Sequence, residues 1–171
     1  MNRSMGIQVN KASIRTVAAV VAVLSLLACQ YNPHAHLYTT VRPVPADVVG
    51  VYRLTSETLL DSDLSELGGR SCFVRLNADG TFEAVNVPPW DLDSPGPKFF
   101  EHLLSGSGTW RIASLGAVDN GWSSKTVWGV YLDSPTVKFE PATLTGRSSP
   151  YGLIFSLGDP DAGEALIFSR Q

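Results

Sequence analysis

A histidine close to two serines is the arrangement inside this chain that comes nearest to a hydrolytic pair. His102 precedes Ser105 and Ser107, and an imidazole beside a hydroxyl can act as its general base. A nucleophile elbow requires Gly-x-Ser-x-Gly at a strand-to-helix turn, and residues 106–108 lack that spacing. No third residue is placed in sequence to orient the histidine. We therefore predict that the chain is not an enzyme and has no catalytic residues.

Two further kinds of side-chain group could bind metal ions. His34 and His36 stand two residues apart, so their imidazoles could share an ion in an extended backbone, but no third ligand follows closely. Three Asp-x-Asp pairs offer oxygens to calcium, yet each lacks the next ligand and the sixth-position glycine of an EF-hand loop. These pairs are Asp61 with Asp63, Asp91 with Asp93, and Asp159 with Asp161. We expect solvated residues and turns at these positions, with neither a metal nor a cofactor.

The two cysteines have different surroundings. Cys72 stands in a segment of alternating polar and apolar residues, where a lone thiol is more often a small buried apolar side chain than a nucleophile. Cys29 instead ends an apolar stretch of 12 residues, 17–28, which spans roughly 18 Å as a helix and is short of the ~30 Å membrane core. Basic residues Arg3, Lys11 and Arg15 come first, and this order is typical of a signal peptide.

Residues 26–29, Leu-Leu-Ala-Cys, are similar to the lipobox of bacterial lipoproteins. The resemblance implies cleavage between Ala28 and Cys29, a diacylglycerol on the Cys29 thiol and acylation, for example by palmitate, of the new α-amine. Two or three acyl chains anchor a protein stably, at ~0.8 kcal/mol per buried methylene. Gln30 stands where an Asp would favour retention in the inner membrane. We expect an exported, membrane-anchored lipoprotein, facing the periplasm from an outer membrane if the cell has one, and otherwise on the outer face of the cell membrane.

The chain divides into three parts by composition. Residues 1–28 are the signal peptide, 29–47 are the lipidated cysteine and a tether with three prolines, and 48–171 form a single β-rich domain. Removal of 1–28 leaves a formal charge of −6. An acidic chain without a basic stripe is unsuited to nucleic acid.

The domain has short alternating segments separated by turn residues. A strand over 48–54 is followed by a helix over 56–67, where Leu60, Leu64 and Leu67 share one face. The clearest signal is a hairpin, because Asn77-Ala78-Asp79-Gly80 separates the alternating segments 72–76 and 81–85. Further strands are predicted over 105–112, 125–132, 137–144, 151–157 and 164–169. The pattern predicts a mainly β fold, an antiparallel up-and-down meander of about eight strands in a barrel or sandwich, with one short helix after strand 1.

Short motifs support a barrel through a family resemblance. Gly50-Val51-Tyr52 resembles the Gly-x-Trp opening of lipocalin-like barrels, with Tyr in place of Trp. Segments 78–82, 107–110 and 158–161 are similar to uncharacterised secreted bacterial domains. The resemblance implies a barrel and brings no catalytic residues with it.

Two functions remain open at this stage. In the first, the anchored domain recognises an envelope protein or a cell-wall component through exposed loop aromatics. The candidate residues are Trp90, Phe99, Phe100 and Trp122. In the second, the barrel carries a small apolar ligand, since eight strands can enclose one ligand or be filled by side chains. Bulky candidates for the interior, namely Phe82, Trp110, Tyr131 and Phe155, favour a filled barrel, while Ala84 and Gly129 leave room.

Overall fold

The computed structural model describes residues 32–58, 64–89, 102–119, 123–158 and 162–171. Eight strands lie in this part of the chain: β1 (Gly50–Glu57), β2 (Phe73–Leu76), β3 (Thr81–Val87), β4 (Leu104–Asp119), β5 (Ser124–Asp133), β6 (Ala142–Thr145), β7 (Gly152–Ser156) and β8 (Ala165–Arg170). It also contains helix α1 (Pro45–Val48) and two 3-10 helices, Ala35–Leu37 and Leu64–Leu67. None of the helices in these ranges has the length and apolar character needed to cross a bilayer.

The strands form a closed barrel. Each pairs antiparallel with its successor, and β8 pairs with β1, so the predicted up-and-down meander is confirmed and the sandwich is excluded. The predicted hairpin is confirmed as well. The amide of Asn77 donates to the carbonyl of Thr81 over 2.8 Å, and Gly80 takes the positive φ of +82° that this turn needs.

The two ends of the barrel can be told apart by their connections. The hairpin end carries the turns 77–80 and 146–151 and the start of β1, while the loop end carries the connections that follow β1, β3, β5 and β7. Strand β4, with 16 residues, is long enough to extend past β3 at the hairpin end, because Thr81 pairs with Thr109 and β4 continues to Asp119.

Side chains from all eight strands fill the barrel interior. Alternate residues point inward, and Phe155 meets Phe168 edge-on with ring centroids 5.3 Å apart. Phe139, from the loop that follows β5, packs edge-on against Phe82, with ring centroids 5.6 Å apart. Such interdigitated packing is typical of a solid protein core. The buried inward residues are Tyr52, Val74, Leu76, Phe82, Ala84, Trp110, Val130, Leu132, Ala142, Leu144, Leu153, Phe155, Leu166 and Phe168.

Apolar residues also close the two ends. Val48 and Tyr151 belong to the core cluster at the hairpin end, and Leu67 and Leu157 belong to it at the loop end. The Tyr52 hydroxyl donates a hydrogen bond to the carbonyl of Val48, which ties helix α1 to the barrel interior. Burial of this phenol raises the pKa of Tyr52 to about 12.

Cys72 is a buried free thiol at the loop end, as its alternating segment predicted. Burial raises the pKa of this thiol to about 12, so at pH 8 only about one molecule in ten thousand carries the reactive thiolate. We expect iodoacetamide to label Cys72 of the folded chain about a thousandfold more slowly than that of the chain unfolded in urea, as measured by mass spectrometry. Equal rates would show that this end of the barrel opens readily.

The chain ahead of β1 forms a strap that runs along the outside of the barrel and ends across its hairpin end, where Val48 is buried. We use the name N-terminal strap for residues 32–49. The β5–β6 ladder contains only two residue pairs, and beyond them the strap fills the gap between the two strands. The amide of Thr39 donates a hydrogen bond to the carbonyl of Leu144 on β6 over 2.8 Å. The carbonyl of Thr39 accepts one from the amide of Trp128 on β5 over 3.0 Å. Tyr38 forms an antiparallel bridge with Thr145. The strap thus completes backbone hydrogen bonds that β5 and β6 do not make with each other.

The beginning of the strap lies on the outer face of β7 and β8. Nε2 of His34 donates to the carbonyl of Gly163 over 2.8 Å, and the Tyr38 hydroxyl lies 3.4 Å from Oγ of Ser156. Ile154 shares the outward side of β7 with Ser156, because Leu153 and Phe155 face the interior, and yet Ile154 is fully buried. From Asn32 onward the chain therefore differs from the extended tether that its prolines predicted.

Three local predictions were wrong. The helix expected over 56–67 does not begin at Ser56, because Ser56 and Glu57 belong to β1 and pair with β8; Leu64–Leu67 form a 3-10 helix, and 59–63 lie outside the described residues. The strand expected over 137–144 begins only at Ala142, since Pro141 has no N–H to donate to a ladder. Tyr131 lies on the outer face, as Val130 and Leu132 take the inward positions.

Gly129 does not open the room that we expected. An added Cβ there would collide with the Leu115 side chain and with the carbonyl oxygen of Ala142. Glycine is therefore required at this position for close packing of β4, β5 and β6.

Candidate interaction surface

The aromatic residues that we predicted as a binding surface, Trp90, Phe99, Phe100 and Trp122, lie outside the described residues, as do Ala28 and Cys29. The strands on either side of these four aromatic residues show at which end of the barrel each connection begins. Residues 88–103 join β3 to β4 at the loop end, whereas 120–123 join β4 to β5 at the opposite end of β4. The two ends of a 16-residue strand are up to about 50 Å apart. The four aromatics therefore belong to two separate connections.

A two-stranded ribbon leads to the second of these connections. Ala117–Asp119 of β4 pair only with Ser124–Thr126 of β5 among the described residues, and most of their side chains are exposed. A bulge between Ser114 and Gly116 twists β4, and Lys125 stands on the exposed part of β5. A bulge and an edge lysine both oppose pairing with a foreign strand. We therefore do not assign the ribbon edge as a docking site.

A groove at the hairpin end is lined by residues from distant parts of the chain. The strap contributes Arg42, and β4 contributes Arg111 where it passes beyond β3. The groove has a volume of about 330 Å³. Its remaining walls are apolar or small: Pro43, Pro45, Ala78, Gly80, Trp110 and Ile112.

Stacking and backbone contacts hold the walls of this groove. The Arg42 guanidinium carbon lies 5.1 Å from the centroid of Trp128, and that of Arg111 lies 4.4 Å from the centroid of Tyr131. Trp110 donates its indole N–H to the carbonyl of Asn77 over 2.9 Å, and its amide donates to Gly80 over 2.8 Å. These contacts fix β4 against the hairpin turn and leave both guanidinium groups stacked on aromatic faces.

Asp79, the acidic residue of the adjacent hairpin turn, already accepts hydrogen bonds within that turn. Asp79 accepts hydrogen bonds from the amide and the hydroxyl of Thr81, at 2.9 and 2.6 Å. Both bonds lower the pKa of Asp79, and the bond from the Thr81 hydroxyl contributes most. Its carboxylate is therefore a structural group of the hairpin.

A second groove lies on the other side of Arg111 and has balanced charge. It has a volume of about 760 Å³, and it runs beside the loop 134–141. Arg111 and Lys138 line it together with Asp133 and Glu140, and Lys138 pairs with Glu140 over 2.9 Å. Its cations are thus accompanied by carboxylates of the same surface.

Three of the side chains that suggested catalysis or metal binding, those of His34, His36 and Ser105, have structural contacts. Nδ1 of His36 donates to the carbonyl of Pro33 over 2.8 Å, and Nε2 of His34 donates to the carbonyl of Gly163. Oγ of Ser105 accepts the amide of Asn86 over 3.0 Å, and His102 lies exposed ahead of β4. Within the described ranges, no three His, Cys, Asp or Glu side chains lie close enough to hold a metal ion. The three Asp-x-Asp pairs lie outside those ranges.

Sequence reasoning missed that Arg42 and Arg111 line the same groove. They are 69 positions apart and belong to no motif, and Arg42 fell within the predicted tether. Only the course of the strap across the hairpin end brings them into one groove. Comparisons of the chain with protein-family models, with curated proteins and with solved structures gave no match.

Proposed function

We propose that this chain is a lipid-anchored protein of the cell envelope whose barrel serves as a binding or structural module through its outer surface. The lipid on Cys29 supplies the membrane attachment, as its lipobox-like surroundings suggest. The observation that carries the choice of an outer surface is the filled interior, where Tyr52, Phe82, Phe155 and Phe168 pack together with apolar residues of every strand. A carrier of a small apolar ligand would need that space for its cargo.

Replacing Cys29 with serine tests the anchor. The variant lacks the thiol to which a diacylglycerol is attached, so we expect it to lose incorporation of an alkyne-labelled palmitate and to keep its uncleaved signal peptide. In-gel labelling and the apparent mass of the chain in cell fractions measure both effects. Cys72→Ala is the matched control, because it removes the other cysteine and should leave labelling and cleavage unchanged. Equal palmitate labelling of Cys29→Ser and the natural chain would refute the anchor.

The outer-surface role is tested by crosslinking in intact cells, followed by identification of the captured species. A reproducible protein or cell-wall partner supports the binding module. A small apolar molecule that stays with the purified chain in native mass spectrometry, without any macromolecular partner, would favour the carrier instead.

A further inference from the structure

We propose that the start of the N-terminal strap exchanges between two copies of this chain, so that residues 32–39 of each copy bind to the barrel of the other. We use the name strap slot for the gap beyond the two residue pairs of β5 and β6, where Thr39 lies. The inference names a second copy as the partner of the outer surface. It therefore rests on the binding role proposed above, but not on the lipid at Cys29.

The strap slot recognises an extended backbone in one register. The amide of Thr39 donates to the carbonyl of Leu144 over 2.8 Å, and the amide of Gly146 donates to the carbonyl of Leu37 over 2.9 Å. The Thr39 hydroxyl adds a bond to the carbonyl of Gly146 over 2.7 Å. A segment from another molecule forms these bonds equally well, as in β-strand addition. The strap itself shows which sequence the slot accepts, and a second copy carries the same sequence.

Polar contacts hold residues 32–39 on the barrel. His34 and Thr39 are the two buried polar residues of the described ranges, and both lie in this segment. Nε2 of His34 donates to the carbonyl of Gly163 over 2.8 Å. No residue of 32–39 belongs to the core cluster, and the 3-10 helix Ala35–Leu37 contains no buried residue. A segment with so little apolar contact opens at a lower free energy than the whole barrel unfolds.

An open strap slot does not stay empty. Release of the strap uncovers the outward side chain of Ile154, and it removes the strap partners of the Trp128 amide and the Leu144 carbonyl. Unpaired backbone groups and exposed apolar surface are both unfavourable. The slot is therefore refilled, either by its own strap or by that of a second copy.

A hinge separates the exchanged residues from the rest of the strap. Pro43 and Val48 are buried and stay with their own barrel, whereas the chain bends at Val41, which is 69% exposed. Pro43 favours an extended backbone at Arg42, directly after this bend. Straightening the chain at Val41 disturbs no residue of the core cluster. Two chains that straighten here exchange their straps reciprocally, which gives a closed, symmetric dimer.

Disulfide trapping between two variants tests the exchange. Tyr38 stands opposite Thr145 as a pair without direct hydrogen bonds, whose Cα atoms lie about 4.5 Å apart, within reach of a disulfide. One full chain carries Tyr38→Cys and the other Thr145→Cys. Both also carry Cys29→Ser and Cys72→Ala, so each has one thiol and needs no lipid. They are mixed in non-ionic detergent at about 1 mM, the order of effective concentration that a short linker gives a chain's own strap.

We expect mild oxidation to give a disulfide-linked heterodimer, identified by its mass, at a yield at least about tenfold above that of a control mixture. The control pairs Tyr38→Cys with Thr55→Cys. Thr55 is exposed on β1 and more accessible to random collision than the half-buried Thr145, but it lies outside the strap slot. Equal yields in the two mixtures would overturn the proposal.

A locked chain provides the second measurement. Tyr38→Cys and Thr145→Cys in one chain, oxidised in dilute solution, join the strap to its own slot, and formation of this disulfide verifies that both substitutions permit the fold. We expect the oxidised chain to stay monomeric at about 1 mM in light scattering, and the reduced chain to form dimers. Dimers of both forms alike, or of neither, would exclude exchange through this slot. If crosslinking in intact cells then captures a different macromolecule, the binding role stands and only the second copy is excluded.

Discussion

Replacement of Phe155 by alanine should lower the free energy of unfolding by about 3–5 kcal/mol, the usual cost of deleting a fully packed phenyl ring. Phe155 is 1% exposed, and its ring meets that of Phe168 in the middle of the barrel. The substitution leaves a cavity that the closed sheet cannot collapse to fill, since strands on all sides are fixed by their ladders. Denaturant unfolding of the mature chain, followed by tryptophan fluorescence, measures the change.

Phe73→Ala is the matched control for this substitution. Phe73 lies on the outer side of β2, where the guanidinium groups of Arg53 and Arg75 cover its ring. We expect its removal to cost about 1 kcal/mol or less. If Phe155→Ala lowers the free energy of unfolding as little as Phe73→Ala does, the interior is loosely packed. The barrel would then have room for a small apolar ligand, and the carrier function would be favoured.

Replacement of Ile154 by alanine should cost about 2–5 kcal/mol although this residue faces away from the barrel interior. Its side chain is fully buried on the outer side of β7, the side on which Tyr38 of the strap approaches Ser156. The loss would therefore measure how firmly the strap belongs to the folded unit. Denaturant unfolding gives this value as well.

The neighbouring strand provides the control for that measurement. Ile167 of β8 pairs directly with Ile154 and also faces outward, but it is only partly buried. We expect Ile167→Ala to cost about 1 kcal/mol or less. Equal costs at the two positions would mean that the strap does not shield Ile154, and that residues 32–39 detach from the barrel in solution.

The parts of the fold that local chemistry determines were predictable. The hairpin at 77–80 follows from turn residues that tolerate positive φ between two alternating segments, and the eight strands follow from alternation with short spacing. Closure of the sheet into a barrel did not follow from alternation alone. It depends on the pairing of β1 with β8, whose residues are more than 100 positions apart.

The strap and the helix show what local patterns cannot supply. Prolines in 33–45 predicted an extended tether, but the contacts that hold this segment come from Leu144, Ser156 and Gly163, far along the chain. The candidate groove was equally hidden, because one of its arginines lies on that segment. Aromatic residues in loops were visible in the sequence, whereas a groove lined by both the strap and β4 was not.

The course of the strap has a consequence for any lipid on Cys29. Asn32 donates to Tyr38 and lies beside the β7–β8 connection at the loop end, and only three peptide steps separate it from Cys29, a reach of about 11 Å. A lipid on Cys29 would therefore be joined to the strap by no more than that length of chain.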